Sequence, residues 1–155
     1  MHGRRSALVG FAVLLSAMGH VVALRGEADG REAAQAADVP AYVAYYWRVR
    51  PGRLADYNAY IRGTAERIDE EARRAGVFVE VITVLATPTP DGVASDWTHL
   101  RIFKLKNADT VEGLSPGLEA ATLRVVPDEA QRKANSTRAA ELRDFVRREV
   151  WVTLR

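Results

Sequence analysis

The chain has 155 residues, a formal net charge of +2 at pH 7 and no cysteine. Because the charges nearly balance and no run of basic residues forms a stripe, the composition argues against a nucleic-acid-binding protein. The lack of cysteine excludes disulfides, thiolate metal ligands and a cysteine nucleophile. With 48% hydrophobic residues, a chain of this length can form one globular domain and a short additional segment.

Residues 1–23 have the layout of a secretory signal peptide. Arg4 and Arg5 precede an apolar run from Ala7 to Met18, and a stretch of small or apolar residues ends at Ala23. We therefore expect cleavage after Ala23 and an exported protein, periplasmic or secreted, that has no membrane association after cleavage.

Two alternatives concern the same part of the chain. Cleavage after Ala36 would also follow a small-residue pattern. An uncleaved anchor is the second alternative, since Ser6–Leu24 is about long enough to span a bilayer. Residues 24–38 lack large apolar side chains apart from Leu24 and are predicted to be a flexible linker. The domain itself is assigned to residues 39–155.

Strand and helix patterns alternate along the predicted domain. Aromatic and β-branched residues indicate strands, and apolar residues at every third or fourth position indicate helices. The predicted elements are a strand at Ala41–Val49, a helix from about Arg53 to Ala75 that ends at Gly76, strands at Val77–Ala86 and Asp96–Leu105, a short helical piece capped by Asn107, a helix start at Ser115-Pro116, a helix from Pro127-Asp128 to about Arg148, and a strand at Glu149–Arg155. The order β-α-β-β-α-β, with additional helix before the last one, predicts an α+β, ferredoxin-like antiparallel sheet with its main helices on one face.

The other face of this sheet has no predicted cover, although the strands are apolar on both sides. In the first strand, Val43, Tyr45, Trp47 and Val49 lie on one side and Tyr42, Ala44 and Tyr46 on the other. A large exposed apolar face favours self-association, and a twofold homodimer through the sheet face is the commonest form. The alternative is that Asn107–Val126 folds over the open face.

The first strand runs into Val49-Arg50-Pro51-Gly52-Arg53 and then into a helix that carries Tyr57 and Tyr60. With these residues and the β-α-β-β-α-β order across Ala41–Arg155, the chain resembles the dimeric α/β-barrel superfamily, which includes the antibiotic-biosynthesis-monooxygenase-like domains. The resemblance implies a ferredoxin-like fold, a homodimer and a cavity between sheet and helices. Members include cofactor-free monooxygenases, haem-handling proteins and isomerases, so it implies no single reaction.

The third strand carries the candidate catalytic residues, His99 and Arg101. Alternation along the strand places Trp97, His99, Arg101 and Phe103 on one face. His99 could act as a general base near neutral pH, with Trp97 and Phe103 as candidate ligand contacts. The alternative is a buried histidine that is satisfied by a hydrogen bond, with Arg101 paired to a carboxylate.

Tyr42, Tyr46 and Arg48 share a face of the first strand and are further candidate ligand-binding residues, provided that this face is the helix side. Packing at a sheet interface is the alternative. Convergence of His99, Arg101 and Tyr46 on one enclosed space would favour an enzyme, and a His99 sealed in the dimer interface would disfavour one.

No metal or cofactor is predicted, because the predicted mature chain keeps only His99 of the three histidines and has no cysteine, so it offers no tetrahedral ligand set. Haem with His99 as its axial ligand is an alternative. Arg143, Arg147 and Arg148 are assigned to the C-terminal end of the last helix, where cations suit the helix dipole. The predicted function is therefore an exported homodimer that binds a small apolar or aromatic ligand. The alternative functions are haem binding and a cofactor-independent monooxygenase or isomerase that acts on a small organic substrate.

Overall fold

The computed structural model describes residues 39–87 and 94–154. The predicted signal peptide and linker, and part of the loop after residue 87, lie outside the described residues. The elements are β1 (Ala41–Val49), α1 (Leu54–Tyr60), a π-helical turn (Ile61–Ala65), α2 (Glu66–Arg74), β2 (Glu80–Leu85), β3 (His99–Leu105), a 3-10 turn (Ala108–Thr110), α3 (Leu114–Val125), α4 (Glu129–Leu142) and β4 (Arg143–Val152).

The four strands form one antiparallel sheet in the order β2-β3-β1-β4. In the centre of the sheet Tyr45 of β1 faces Arg101 of β3 and Arg148 of β4. A register shift between Tyr46 and Trp47 marks a bulge in the β1–β4 pairing. This order and the β-α-β-β-α-β sequence of elements confirm the predicted ferredoxin-like fold.

The main core lies between the sheet and the helices. Odd-numbered residues of β1 and β3 face the helices, and even-numbered ones face the opposite side, here called the open face. The buried core residues on the helix side are Ala41, Val43, Phe103 and Leu105 of the sheet with Ala72, Phe78, Leu114 and Ala121. Gly76 follows α2 with a φ of 73°, which confirms its predicted role in ending the helix.

Helix α3 packs on the same side of the sheet as α2. Its Leu114 and Ala121 belong to the core that contains Ala72 of α2. The alternative in which Asn107–Val126 covers the open face is therefore wrong, because the apolar side of α3 is already buried against the helix-side core.

The boundary between the last helix and the last strand was wrongly predicted. Helix α4 begins as expected, with the Asp128 side chain accepting a hydrogen bond from the Gln131 backbone N–H at 2.7 Å, but it ends at Leu142. Arg143–Arg148 extends β4 because it pairs with the second half of β1. Cross-strand pairing thus overrides the helix propensity of this arginine-rich stretch. Arg143 is the C-cap residue of α4, whereas Arg147 and Arg148 lie within the strand, away from the helix end.

Smaller differences concern element ends. The hairpin strands are shorter than predicted, since β2 begins at Glu80 and β3 at His99. Gly113 rather than Ser115 is the N-cap of α3. Asn107 precedes the 3-10 turn without a side-chain cap. Within residues 39–87 and 94–154, no helix combines the length and apolar character that crossing a membrane requires.

Candidate ligand-binding site

A cavity of about 260 Å³ lies between the helix side of the sheet and α3. Its lining residues come from four elements: Tyr45 and Trp47 of β1, Arg101 and Phe103 of β3, Ser115 and Leu118 of α3, and Arg143 of β4. Larger hollows of about 620, 640 and 340 Å³ elsewhere on the described residues are lined mainly by charged side chains. An aromatic wall with a few polar groups is typical of small-molecule sites, so the cavity beside the sheet is the candidate site.

A buried ion pair fixes one wall of the cavity. Arg101 donates a hydrogen bond to Asp69 of α2, and the two side chains are only 11% and 8% exposed. Burial raises the pKa of Asp69, although the neighbouring guanidinium opposes the shift. The Arg101 guanidinium carbon also lies 5.2 Å from the centre of the Phe103 ring. Arg101 is thus neutralised from the helix side and held rigidly.

His99 is next to this wall but does not line the cavity. Its side chain is 1% exposed, Nε2 lies 2.9 Å from Oδ1 of Asn58, and Nδ1 lies 3.0 Å from the Thr98 hydroxyl. The imidazole meets the Tyr57 ring edge-on, with 4.7 Å between ring centres. Burial, and then the positive charge of Arg143, lower its pKa, so His99 is neutral at neutral pH. With Asn58 Oδ1 as acceptor, Nε2 carries the proton.

Arg143 closes the β4 side of the cavity. Its guanidinium carbon lies 3.5 Å from the centre of the Trp47 ring, and it donates a hydrogen bond to the Tyr57 hydroxyl. Burial raises the pKa of Tyr57, with Arg143 acting in the opposite direction. Among the described residues no carboxylate pairs with Arg143.

The π-helical turn brings the α1 and α2 contacts to one side. Tyr57, Ile61, Ala65 and Asp69 are four residues apart and all are buried. In a regular α-helix this spacing drifts by about 40° per step, which would carry Asp69 about 120° away from Tyr57. The wider turn at Ile61–Ala65 absorbs this drift, so that Tyr57 reaches His99 while Asp69 reaches Arg101.

The structure divides the predicted site residues between two faces. Arg101 and Phe103 line the cavity, and His99 lies behind it on the same side. Tyr42, Tyr46 and Arg48 occupy the open face, because they alternate with the helix-side residues of β1. They therefore cannot line the helix-side cavity, and His99, Arg101 and Tyr46 do not converge on one space.

Trp97 lies on the open face, not on the helix side with His99, Arg101 and Phe103 as predicted. It precedes the start of β3, so strand alternation does not govern it, and its ring packs against Tyr46 with 5.7 Å between ring centres. It joins the open-face cluster formed by Ala44, Tyr46 and Leu100.

Polar side chains on the open face satisfy one another. Glu149 accepts hydrogen bonds from the Tyr46 hydroxyl at 3.0 Å, from Trp151 Nε1 at 3.0 Å and from Arg147 Nε at 2.7 Å. Arg147 also pairs with Asp96 at 2.9 Å. The hydrogen bond from Arg147 holds the pKa of Glu149 below its usual range, whereas burial raises the pKa of Tyr46.

Neither haem nor a metal ion is favoured by the described residues. Both nitrogens of His99 have hydrogen-bond partners inside the protein, so an axial bond to haem iron would require the Asn58 contact to break. In residues 39–87 and 94–154, no three His, Asp or Glu side chains cluster as metal ligands do.

Several residues around the cavity were not found from the sequence. Asp69 follows the buried Ala65 by one helical turn, and a carboxylate at that position of an apolar stripe is a recognisable signal of a buried partner. Arg143 was missed because it was assigned to a helix. Asn58 gives no signal, since exposed asparagines are common in helices near turns.

Comparisons with known proteins bear on the fold. No protein-family model matches the sequence, and no curated protein matches it. Among solved structures, the chain is similar to a NIPSNAP-family protein of unknown function from Agrobacterium tumefaciens, with a TM-score of 0.50 and 11% identity, over 77% of this chain and 91% of that chain. It is also similar to a dimeric protein of unknown function and ferredoxin-like fold from Bacteroides fragilis, with a TM-score of 0.45 and 13% identity, over 75% of this chain and 95% of that one.

A third similar structure is SnoaB, a cofactor-independent oxygenase from Streptomyces nogalater, with a TM-score of 0.42 and 15% identity, over 77% of this chain and 96% of that one. At such identities the likeness concerns the fold alone. The resemblance stated from the sequence is therefore confirmed for the fold alone, and the homodimer that it also implies stays a proposal.

Proposed function

We propose that this protein binds a small aromatic molecule in the cavity between the sheet and α3. The observation that carries the proposal is the aromatic lining, in which Tyr45, Trp47 and Phe103 face a volume of about 260 Å³. Typical sites for drug-sized ligands measure about 300–1,000 Å³, so a ligand of one or two rings suits the space.

Catalysis by His99 has less support than binding. The imidazole is enclosed by Tyr57, Asn58 and Thr98, and a general base must lie within hydrogen-bond reach of the proton that it removes. Cofactor-independent oxygenation or isomerisation would therefore require a movement of Tyr57 that admits substrate to His99. We place ligand binding first for this reason.

Binding is tested by filling the cavity. Naphthamide, an uncharged two-ring probe, is titrated calorimetrically into the wild-type protein and into Leu118→Trp, which places an indole in the cavity. The control is Leu123→Trp on the exposed side of the same helix. We expect binding to the wild type and to the control, and loss of binding in Leu118→Trp. Equal binding to all three proteins would place the probe elsewhere, and no binding to the wild type would contradict the proposal.

We further propose that two copies associate through their open faces. This face carries an apolar cluster, and Ile82 and Trp151 are 46% and 37% exposed in the isolated chain. On this face Glu149 and Asp96 share Arg147, so burial against a second copy would leave these three charges paired. Arg48, on the same face, donates a hydrogen bond to the backbone carbonyl of Asp96 at 2.7 Å.

The association is tested by the oligomeric state. Ile82→Lys puts a charge on the open face, beside Ile102 of the neighbouring strand. Val79→Lys is the matched control, because Val79 is a similarly exposed apolar residue that precedes β2 and lies beside Asp69 and Phe78 on the helix side. We expect sedimentation equilibrium to give a dimer for the wild type and Val79→Lys and a monomer for Ile82→Lys. A monomeric wild type at high concentration would refute the proposal.

Export is proposed from the sequence of residues 1–23 alone. Expression of the full chain in a bacterial host and mass spectrometry of the purified protein should give an N-terminus at Leu24. Recovery of uncleaved protein in the membrane fraction would favour the anchor alternative instead.

A further inference from the structure

Two guanidinium groups face the cavity, and within the described residues only one of them has a counter-charge. Arg101 is neutralised by Asp69 in a pair that is nearly inaccessible to solvent. Arg143 lines the same cavity from β4 and has no carboxylate partner in this part of the chain. The cavity therefore contains one positive charge that the described side chains do not balance.

The contacts of Arg143 leave most of its donors available. It donates one hydrogen bond, to the Tyr57 hydroxyl, and lies over the Trp47 ring. A guanidinium has five N–H donors in a planar fork that matches a carboxylate. Its position is set by Trp47 and Tyr57, so an anion would meet an oriented donor group.

The remainder of the cavity is suited to a flat apolar body. Tyr45, Phe103 and Leu118 supply aromatic and aliphatic surface, and the Tyr45 ring stands edge-on to Phe103 with 5.9 Å between centres. At ~30 Å³ per water molecule, the volume holds about nine waters, which limits the ligand to one or two rings.

We propose that Arg143 is the anion-binding residue of this cavity and that the ligand is a small aromatic acid. Its carboxylate pairs with the Arg143 guanidinium, and its ring lies among Tyr45, Phe103 and Leu118. This inference rests on the proposed function of the cavity and specifies the class of ligand.

The test compares naphthoate with naphthamide, which differ in the charge of one group. Both are titrated calorimetrically into the wild type, Arg143→Gln and Arg148→Gln. Arg148 is the matched control: it is an exposed arginine on the helix side of the same strand, outside the cavity lining, and its guanidinium carbon lies 6.0 Å from the centre of the Tyr45 ring. A charge-assisted hydrogen bond corresponds to about a tenfold or larger change in affinity.

In the wild type and in Arg148→Gln we expect naphthoate to bind about tenfold or more tightly than naphthamide, and in Arg143→Gln we expect this preference to disappear. Should Arg143→Gln fail to fold, Arg143→Lys keeps the charge and loses the planar fork, and it should retain only part of the preference. Naphthoate should also raise the pKa of His99, followed by NMR, because it neutralises the Arg143 charge that lowers this pKa.

The outcomes separate the two proposals. If both probes bind the wild type equally, or if Arg143→Gln weakens both by the same factor, the anion inference is overturned and the cavity function stands. If neither probe binds the wild type, the cavity function itself fails.

Discussion

Nε2 of His99 lies 2.9 Å from Oδ1 of Asn58, which joins the first residue of β3 to helix α1. The Tyr57 ring covers the same imidazole edge-on. Since Thr98 occupies the other ring nitrogen, all polar atoms of this buried side chain have partners. His99, the predicted general base, therefore has a structural role. It fixes α1 against the sheet beside the cavity.

Removing the amide of Asn58 should destabilise the fold. In Asn58→Leu the buried Nε2–H of His99 has no acceptor, and an unsatisfied buried donor costs about 1–3 kcal/mol. Urea unfolding at one fixed protein concentration measures the loss. The double variant Asn58→Leu/His99→Phe removes both polar partners and should recover part of the stability. A double variant less stable than Asn58→Leu alone would contradict this account.

Stability should depend on pH through His99. Because its pKa in the folded state lies below the unfolded value of about 6.5, the unfolded chain takes up the proton first. The stabilisation is therefore present above about pH 6.5, begins to be lost as the pH falls below that value, and is fully lost once the pH lies below the folded-state pKa of His99.

The measurement is the free energy of unfolding of the wild type and of His99→Gln at about pH 7.5 and about pH 5.5. The wild type should lose more stability on acidification than the variant. Asp69, whose pKa is shifted upward, contributes with the opposite sign, but it is present in both proteins and drops out of the comparison. Parallel losses in the two proteins would show that His99 has the same pKa folded and unfolded.

Removing one member of the ion pair between Asp69 and Arg101 should destabilise the fold strongly, whereas replacing both members by apolar residues should destabilise it less. Asp69→Asn leaves the buried Arg101 charge without its partner, for which a loss of about 3–5 kcal/mol is expected. Asp69→Leu/Arg101→Met removes both charges and should be more stable than Asp69→Asn. The exposed pair of Arg50 and Asp144 is the control, and Asp144→Asn should cost at most about 1 kcal/mol.

The sequence predicted the fold better than the site, for physical reasons. Strand and helix periodicities are local, so the element order and the shared face of His99, Arg101 and Phe103 could be read from them. Which face of β1 meets the helices is a tertiary property, because both faces are apolar. The sequence predicts Tyr42 and Tyr46 at the cavity only if their face of β1 is the helix side. In the structure that face is the open face.

The sequence did not predict that Arg143 lies in β4. No glycine or proline separates α4 from β4, so nothing in the local sequence ends the helix at Leu142. The strand forms because β1 offers an unpaired edge along its whole length, and that edge is visible only once the sheet is assembled. A boundary error of six residues thus concealed the cation that lies over Trp47 in the candidate site.

Two helical glycines should respond in opposite ways to alanine. A Cβ on Gly63, in the π-helical turn, would have no heavy atom within 4 Å, so Gly63→Ala should stabilise the protein by about 0.5–1 kcal/mol. A Cβ on Gly117, in α3, would lie 2.4 Å from Cγ1 and 2.7 Å from Cγ2 of Val77. Gly117→Ala should therefore destabilise by about 1–3 kcal/mol and displace α3.

The same pair of variants probes the cavity, because α3 contributes Ser115 and Leu118 to its lining. Thermal unfolding and naphthamide titration are measured on both variants. Gly63→Ala should bind the probe as the wild type does, whereas Gly117→Ala should bind it more weakly, since the helix must move away from Val77 to admit the methyl group. Unchanged affinity in a destabilised Gly117→Ala would mean that the probe does not depend on the position of α3, and the cavity between α3 and the sheet would no longer be the binding site.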